Sequence, residues 1–126
     1  MQQIEGCAPG RRASVTLTVS DADTAVALKS GDVNVLGSPR VVALCEQAAV
    51  AALEGCLREG QTSVGSWIEL EHRAPSAVGA EVTAEAVLLG VHGRRLEFAV
   101  TVRDGDEEVA RCKHRRAVVD RASFGG

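Results

Sequence analysis

From Ser14 to Val19 polar and apolar side chains alternate strictly (Ser-Val-Thr-Leu-Thr-Val), the pattern of a strand with one face buried. Asp21 to Gly37 is mixed. Asp21, Asp23 and Thr24 can start a short helix through Val26 and Leu28, and Gly31 and Gly37 punctuate a loop, so a short helical or irregular lid is expected there. Ser38-Pro39 then opens a helix, since serine caps free N–H groups and proline is favoured in the first turn, and Gly60 stops it after about Glu59. Between Val41 and Leu57 nearly every side chain is apolar or small, so this helix is expected to be surrounded by protein. Four further segments alternate with period two: Ser63 to Ala74, Ala80 to Leu89, Arg94 to Arg103 and Glu107 to Val119. His92-Gly93 and Asp104-Gly105 between the last three suit tight hairpins, where the glycine takes a positive φ at little cost, so those strands form an antiparallel meander.

One strand, a lid, one long helix and four long strands make an α+β plan in which a curved antiparallel sheet wraps a single central helix. A single helix covers one face of such a sheet and an edge strand stays open, so pairing with a second copy is expected: a homodimer, with pairing of dimers left open. At 126 residues the chain is expected to be a single domain over 1–126. Trp67, Phe98 and Phe124 are its whole aromatic inventory, so the core must be built from Val, Ala and Leu, and any large pocket will be aliphatic.

The net charge of −3 and the scatter of basic residues outside Arg111–Arg116 argue against a nucleic-acid partner. Cys7, Cys45, Cys56 and Cys112 lie far apart without C-x-x-C spacing, and the N-terminus carries nothing like a secretory signal, which fits reduced, structural thiols in a cytoplasmic protein. Cys45 and Cys56, eleven apart, would share one buried helix face. No apolar run approaches the roughly 18 to 20 residues of a membrane helix.

Candidate chemistry centres on Glu46. Its helical neighbours Val42, Ala43, Ala49 and Val50 cannot pair with it, so it should reach a partner elsewhere or have its pKa raised by desolvation, as general-base chemistry requires. A solvated stripe with Gln47 and Glu54 is the plainer alternative. By parity Val64, Ser66, Ile68, Leu70 and His72 share the core-facing side of their strand, and His72 closes that row either as a satisfied structural group or as a catalyst facing the helix carboxylate. In the last strand Ala110, Cys112, His114, Arg116 and Val118 share a face, which turns Arg116 inward, where it needs Glu46, another buried carboxylate or a bound ligand. Arg111, Lys113 and Arg115 face outward as a solvated row or a contact for a phosphate. There is no G-x-S-x-G elbow, P-loop or post-strand G-x-G-x-x-G, and His72, His92 and His114 are too scattered to suggest a metal site.

Over roughly residues 36–124 the chain resembles the fluoroacetyl-CoA thioesterase branch of the hotdog superfamily. That family has a hydroxyl residue before its central helix, a glutamate eight residues on and a histidine twenty-six further, and Ser38, Glu46 and His72 stand at these separations. Gly65 matches its glycine seven residues before the histidine, and Arg116 matches its arginine within His114-Arg115-Arg116-Ala117-Val118. The resemblance implies a hotdog fold and hydrolysis of an acyl-CoA thioester. In that reading Glu46 activates water or attacks directly, His72 assists, Ser38 stabilises the oxyanion, and Gly65 and Arg116 contact substrate. It implies no cofactor beyond coenzyme A as part of the substrate. Two departures stand out: the hydroxyl is serine in place of threonine, and the lid from Asp21 to Gly37 has no aromatic residue, which argues against fluoroacetyl selectivity. The alternatives are a non-catalytic hotdog module that binds acyl-CoA, and a hydratase, for which the helix-start Asp-x-x-x-x-His motif is missing. Eight residues of helix rise about 12 Å, so Ser38 and Glu46 cannot touch on one straight helix. Either the chain before Val41 folds back, or the site is completed across a dimer interface.

Overall fold

The alternating segments and the apolar stretch resolve, in a computed structural model describing residues 6–124, into five strands and one helix. The order is β1 (Arg12–Thr18), a 3₁₀ turn at Asp21–Asp23, α1 (Ser38–Ala52), β2 (Gln61–His72), β3 (Glu81–His92), β4 (Arg95–Asp104), β5 (Glu107–Asp120) and a 3₁₀ turn at Arg121–Ser123. All neighbours in the sheet are antiparallel, in the order β1-β3-β4-β5-β2, so β1 and β2 are its edges. Gly93 and Gly105 turn the two hairpins of the meander at φ of 65° and 62°. This is the expected hotdog plan.

Helix α1 presents Val41, Leu44, Cys45, Ala48, Ala49 and Ala52 to the sheet, an i, i+3, i+4 repeat whose members are all buried. They meet Val82, Ala84, Ala86 and Leu88 of β3 and Leu96, Phe98, Val100 and Val102 of β4, all buried. The opposite side of the helix is open, with Val50 49% exposed, so a single chain encloses the helix on one side only. Within one chain the expected enclosure of the helix by protein is therefore met on its sheet side alone.

The helix is also shorter than expected, ending at Ala52 where the sequence reading carried it to Glu59. Its end is tightened by Leu53 N–H bonding to Val50 O, and Gly55 then turns the chain away at φ 83°. Carbonyls released there are taken by Arg11, whose Nε donates to Ala52 O at 2.8 Å and whose Nη2 donates to Glu54 O at 2.6 Å.

The cysteines depart further from expectation. Cys7 and Cys56 are joined in a disulfide, which corrects both the reading of four reduced thiols and the placing of Cys56 on the helix face. Spacing could not reveal the pair, because Cys7 lies before the first strand and Cys56 beyond a helix end that proved earlier than expected. Cys45 and Cys112 are free and buried. The disulfide and Arg11 together strap the segment before β1 across the end of α1.

The lid is irregular after its 3₁₀ turn and is pinned rather than loose. Thr24 bridges Leu36, Val35 bridges Ala77, and Leu36 N–H donates to Ser76 O at 2.9 Å. No helix among the described residues is long and apolar enough to cross a membrane.

Closing a 49-residue separation removes chain entropy worth up to about 4 kcal/mol, so replacing Cys7 and Cys56 together by serine should lower the free energy of unfolding by up to that amount. Denaturant titration of the variant against the oxidised protein checks this, and equal midpoints would show that the bond does not form.

Candidate active site

Strand β2 changes phase in its middle, and the site depends on that change. Its register with β5 passes from Gly65↔Arg116 directly to Trp67↔Arg115, leaving Ser66 as the extra residue of a bulge. Ile68, Leu70 and His72 face the helix as parity predicted, but before the bulge the inward residues are Ser63 and Gly65 instead of Val64 and Ser66. Ser66 is exposed and its hydroxyl donates to Arg115 O at 3.2 Å. The correction matters because Ser63 and Gly65 are the residues that meet Glu46 and its partner.

Glu46 leans from α1 onto this part of the sheet. Its Oε2 lies 3.6 Å from Arg116 Nη1 and 3.9 Å from His114 Nε2, so the carboxylate meets its cation across the helix–sheet interface. Arg116 is thus the partner from elsewhere in the fold that the sequence led us to expect, and the Glu46 side chain is still 40% exposed beside it. A Cβ on Gly65 would stand 2.6 Å from Oε2, so only glycine lets the carboxylate lie against the strand backbone. Arg116 is 7% exposed and each of its three nitrogens makes a hydrogen bond: Nε donates to Ser63 Oγ at 2.8 Å, Nη2 to Ser63 O at 3.1 Å and Nη1 to His114 Nε2 at 3.0 Å. His114 Nδ1 in turn donates to the Trp67 carbonyl at 2.8 Å. Burial lowers the pKa of Arg116, with the Glu46 carboxylate opposing the shift.

The second group forms where α1 begins. Ser38 is its first residue, and its hydroxyl lies 2.7 Å from His72 Nδ1. His72 Nε2 is buried without a hydrogen-bond partner. Desolvation lowers the His72 pKa, partly offset by the backbone of Ala74, which favours a neutral imidazole. The helix start offers few free amides, since Pro39 has none and the N–H groups of Arg40 and Val41 both bond to Gly37 O, so the Ser38 hydroxyl is the polar group it presents.

These two groups do not meet within one chain. Glu46 and Arg116 border an open depression of about 560 Å³ walled by Val15, Ala43, Val50 and Ala51. Ser38 and His72 border another of about 280 Å³ beneath Ala25, Val35 and Pro75 of the lid and its anchor. Both lie on the helix-facing side of the sheet, separated by the seven residues of β2 from Gly65 to His72, roughly 20 Å of strand. A larger depression of about 690 Å³ lies elsewhere, bordered by Glu69, Glu71, Arg73, Glu108, Arg111 and Lys113. Arg73 and Arg111 there are ion-paired to Glu108. Arg115 stacks on Trp67, 4.6 Å from the ring centroid, and pairs with Glu97 at 3.5 Å. Among the described residues no group of three His, Cys, Asp or Glu side chains could hold a metal ion.

The sequence reading singled out Ser38, Glu46, Gly65, His72 and Arg116, and the fold groups Glu46 with Gly65 and Arg116, and Ser38 with His72. It missed Ser63 and the part played by His114. His114 stood in the inward row of β5 and so was visible there, while Ser63 was hidden by the bulge.

Comparison with known proteins bears on this arrangement. Residues 19–122 match the family model for fluoroacetyl-CoA-specific thioesterase. A fluoroacetyl-CoA thioesterase of Streptantibioticus cattleyicolor is 38% identical over 84 residues, which is 67% of this chain and 60% of that protein, so the match spans less than two thirds of the relative's length. A variant of the fluoroacetyl-CoA-specific thioesterase FlK, solved in complex with fluoroacetate and CoA, superposes with a TM-score of 0.87 at 30% identity, covering 94% of this chain and 100% of that one. A hot-dog-like protein from Thermanaerovibrio acidaminovorans superposes at 0.85 with 27% identity, covering 92% and 86%.

Both inward histidines, His72 and His114, have pKa values below the usual 6.5 because burial disfavours the cation. The unfolded chain therefore binds more protons than the folded one below that value. Their stabilising contribution is complete above about pH 6.5 and is lost as pH falls through the folded-state values. Denaturant midpoints should fall between pH 7.5 and 5.5, and less steeply in His72→Asn; a slope unchanged by that substitution would contradict the burial of a neutral imidazole.

Proposed function

We propose that this chain, which belongs to the fluoroacetyl-CoA-specific thioesterase family, hydrolyses a small or medium acyl-CoA thioester to the free acid and CoA-SH, in a site assembled from two copies. The observation that carries the reading is the Glu46 carboxylate. It is held against Arg116 by a glycine backbone at the rim of an aliphatic depression, which places an anionic oxygen where an acyl group can lie.

Glu46 either takes a proton from water, whose oxygen attacks the thioester carbonyl, or attacks that carbon itself to form a mixed anhydride that water then opens. In both routes the C–S bond breaks, the thiolate leaves with the electron pair and gains one proton, and one water is consumed. Neutral His72 is the group suited to orient the reacting carbonyl or carry that proton, and the Ser38 hydroxyl to donate to the developing oxyanion. The aliphatic walls of the depression beside Glu46 and the lack of any aromatic residue in the lid support acyl selectivity other than fluoroacetyl.

Assembly follows from the gap between the two groups. Strand β2 is an open edge, and antiparallel pairing with β2 of a second copy, centred between Ile68 and Glu69, sets His72 opposite Gly65 of the other chain. Ser38 and His72 of one copy then face Glu46 and Arg116 of the second. This resolves the 12 Å separation of Ser38 and Glu46 along α1 without bending the helix. A cytoplasmic setting remains the expectation for such a substrate, and the Cys7–Cys56 bond must then persist in a reducing compartment.

Glu46→Gln keeps the shape of the site and removes its base, so thiol release from short acyl-CoAs should fall by on the order of a thousandfold with the thermal transition retained. Retained turnover would remove Glu46 from the mechanism, and saturable binding without thiol release in the unaltered protein would favour a binding module. Mixing inactive Glu46→Gln with inactive His72→Asn, followed by subunit exchange, should restore about a quarter of native activity, because each mixed dimer regains one intact site. No recovery after verified exchange would place both groups in one chain's site.

A further inference from the structure

We propose that His114 is a positioning residue: held as the neutral tautomer with its proton on Nδ1, it offers the Nε2 lone pair to Arg116 and thereby aims that guanidinium at Glu46. The inference rests on the role proposed for Glu46, and its geometry is independent of it.

The polarity of two contacts assigns the tautomer. A backbone carbonyl only accepts, so Nδ1, 2.8 Å from Trp67 O, carries a hydrogen. A guanidinium only donates, so Nε2, 3.0 Å from Arg116 Nη1, is bare. Together they admit one protonation state, the neutral one. The side chain is 1% exposed, which leaves no room for solvent to replace either partner.

The consequence falls on Arg116. Ser63 fixes one side of its guanidinium through Nε and Nη2, leaving Nη1 as the arm that reaches toward the carboxylate. His114 is the acceptor that sets where Nη1 lies. Protonating Nε2 would oppose two N–H groups across 3.0 Å and put a second cation beside Arg116, so the arm would turn away from Glu46. The groups facing the ring are Glu46 from α1 at 3.9 Å, the Trp67 carbonyl from β2, the uncharged Phe98 ring from β4 at 6.3 Å between centroids, and Arg116 on β5. Burial is the dominant influence and lowers the His114 pKa, the Trp67 carbonyl raises it, Arg116 lowers it and Glu46 raises it, with a net shift downward. The neutral ring is therefore the stable partner at neutral pH, and the arrangement loosens only in acid.

Two measurements test this. Long-range ¹H–¹⁵N spectra of the substrate-free protein should show His114 protonated on Nδ1 and bare on Nε2 at pH 7, with that pattern persisting below pH 6.5. In kinetics, His114→Leu should lower kcat about thirtyfold with KM within about threefold, and His114→Gln, whose carbonyl can still accept from Arg116, should recover most of the loss. In an Arg116→Met background His114→Leu should cost no more than about a further twofold, because the arm it aims is already gone. An Nε2-protonated or charged ring at pH 7, or losses at the two positions that multiply independently, would overturn the proposal. Unfolding midpoints accompany each variant, and if His114→Leu does not fold, the glutamine variant and the spectra decide. A wild-type protein that turns over no thioester refutes the thioesterase reading, while the spectra still decide the tautomer.

Discussion

The carboxylate of Glu46 has only apolar neighbours one turn away on its own helix, and the cation it meets is one guanidinium from the last strand. Arg116 stands 3.6 Å from Glu46 and donates hydrogen bonds to Ser63 and His114. Burying a cation without such partners costs several kcal/mol, so the inward row of β5, the glycine at Gly65 and the bulge at Ser66 act as one unit. The bulge turns Ser63 inward to hold Arg116, and the glycine leaves room for the carboxylate beside it. The same contact joins α1, β2 and β5 at the rim of an open depression.

Much of this is readable from side-chain periodicity because the elements are long and regular. The strict alternation of β3, β4 and β5 located the meander, and parity alone put His72, His114 and Arg116 on the helix-facing side. Where periodicity failed, a local backbone event was responsible. One extra residue at Ser66 reversed the parity of everything before it in β2, which hid Ser63 and misplaced Val64. The early stop of α1 depends on Gly55 and on Arg11 arriving from a segment far away in sequence, and no helical propensity in residues 53–59 announces that. The Cys7–Cys56 bond is likewise a consequence of tertiary proximity.

The candidate chemistry divides in the same manner. Ser38, Glu46 and His72 were identifiable by the separations that carry the family resemblance, and the 12 Å helix rise already implied that Ser38 and Glu46 could not touch on one straight helix. The folded chain keeps them in two depressions on the helix-facing side of the sheet, one polar group around Arg116 and one at the start of α1. An exposed Val50 beside the first and an unpaired β2 edge between them are features that a second copy would cover. Stability and chemistry are therefore linked through the same strand.

The most direct measurement is a crystal structure of the protein with an acyl-CoA analogue in which a methylene replaces the thioester sulfur. The expected result is a dimer in which the analogue's carbonyl carbon lies within about 3.5 Å of the Glu46 carboxylate of one copy, its oxygen facing Ser38 and His72 of the other. A carbonyl bound away from Glu46, or one enclosed by groups from a single chain, would contradict the shared site.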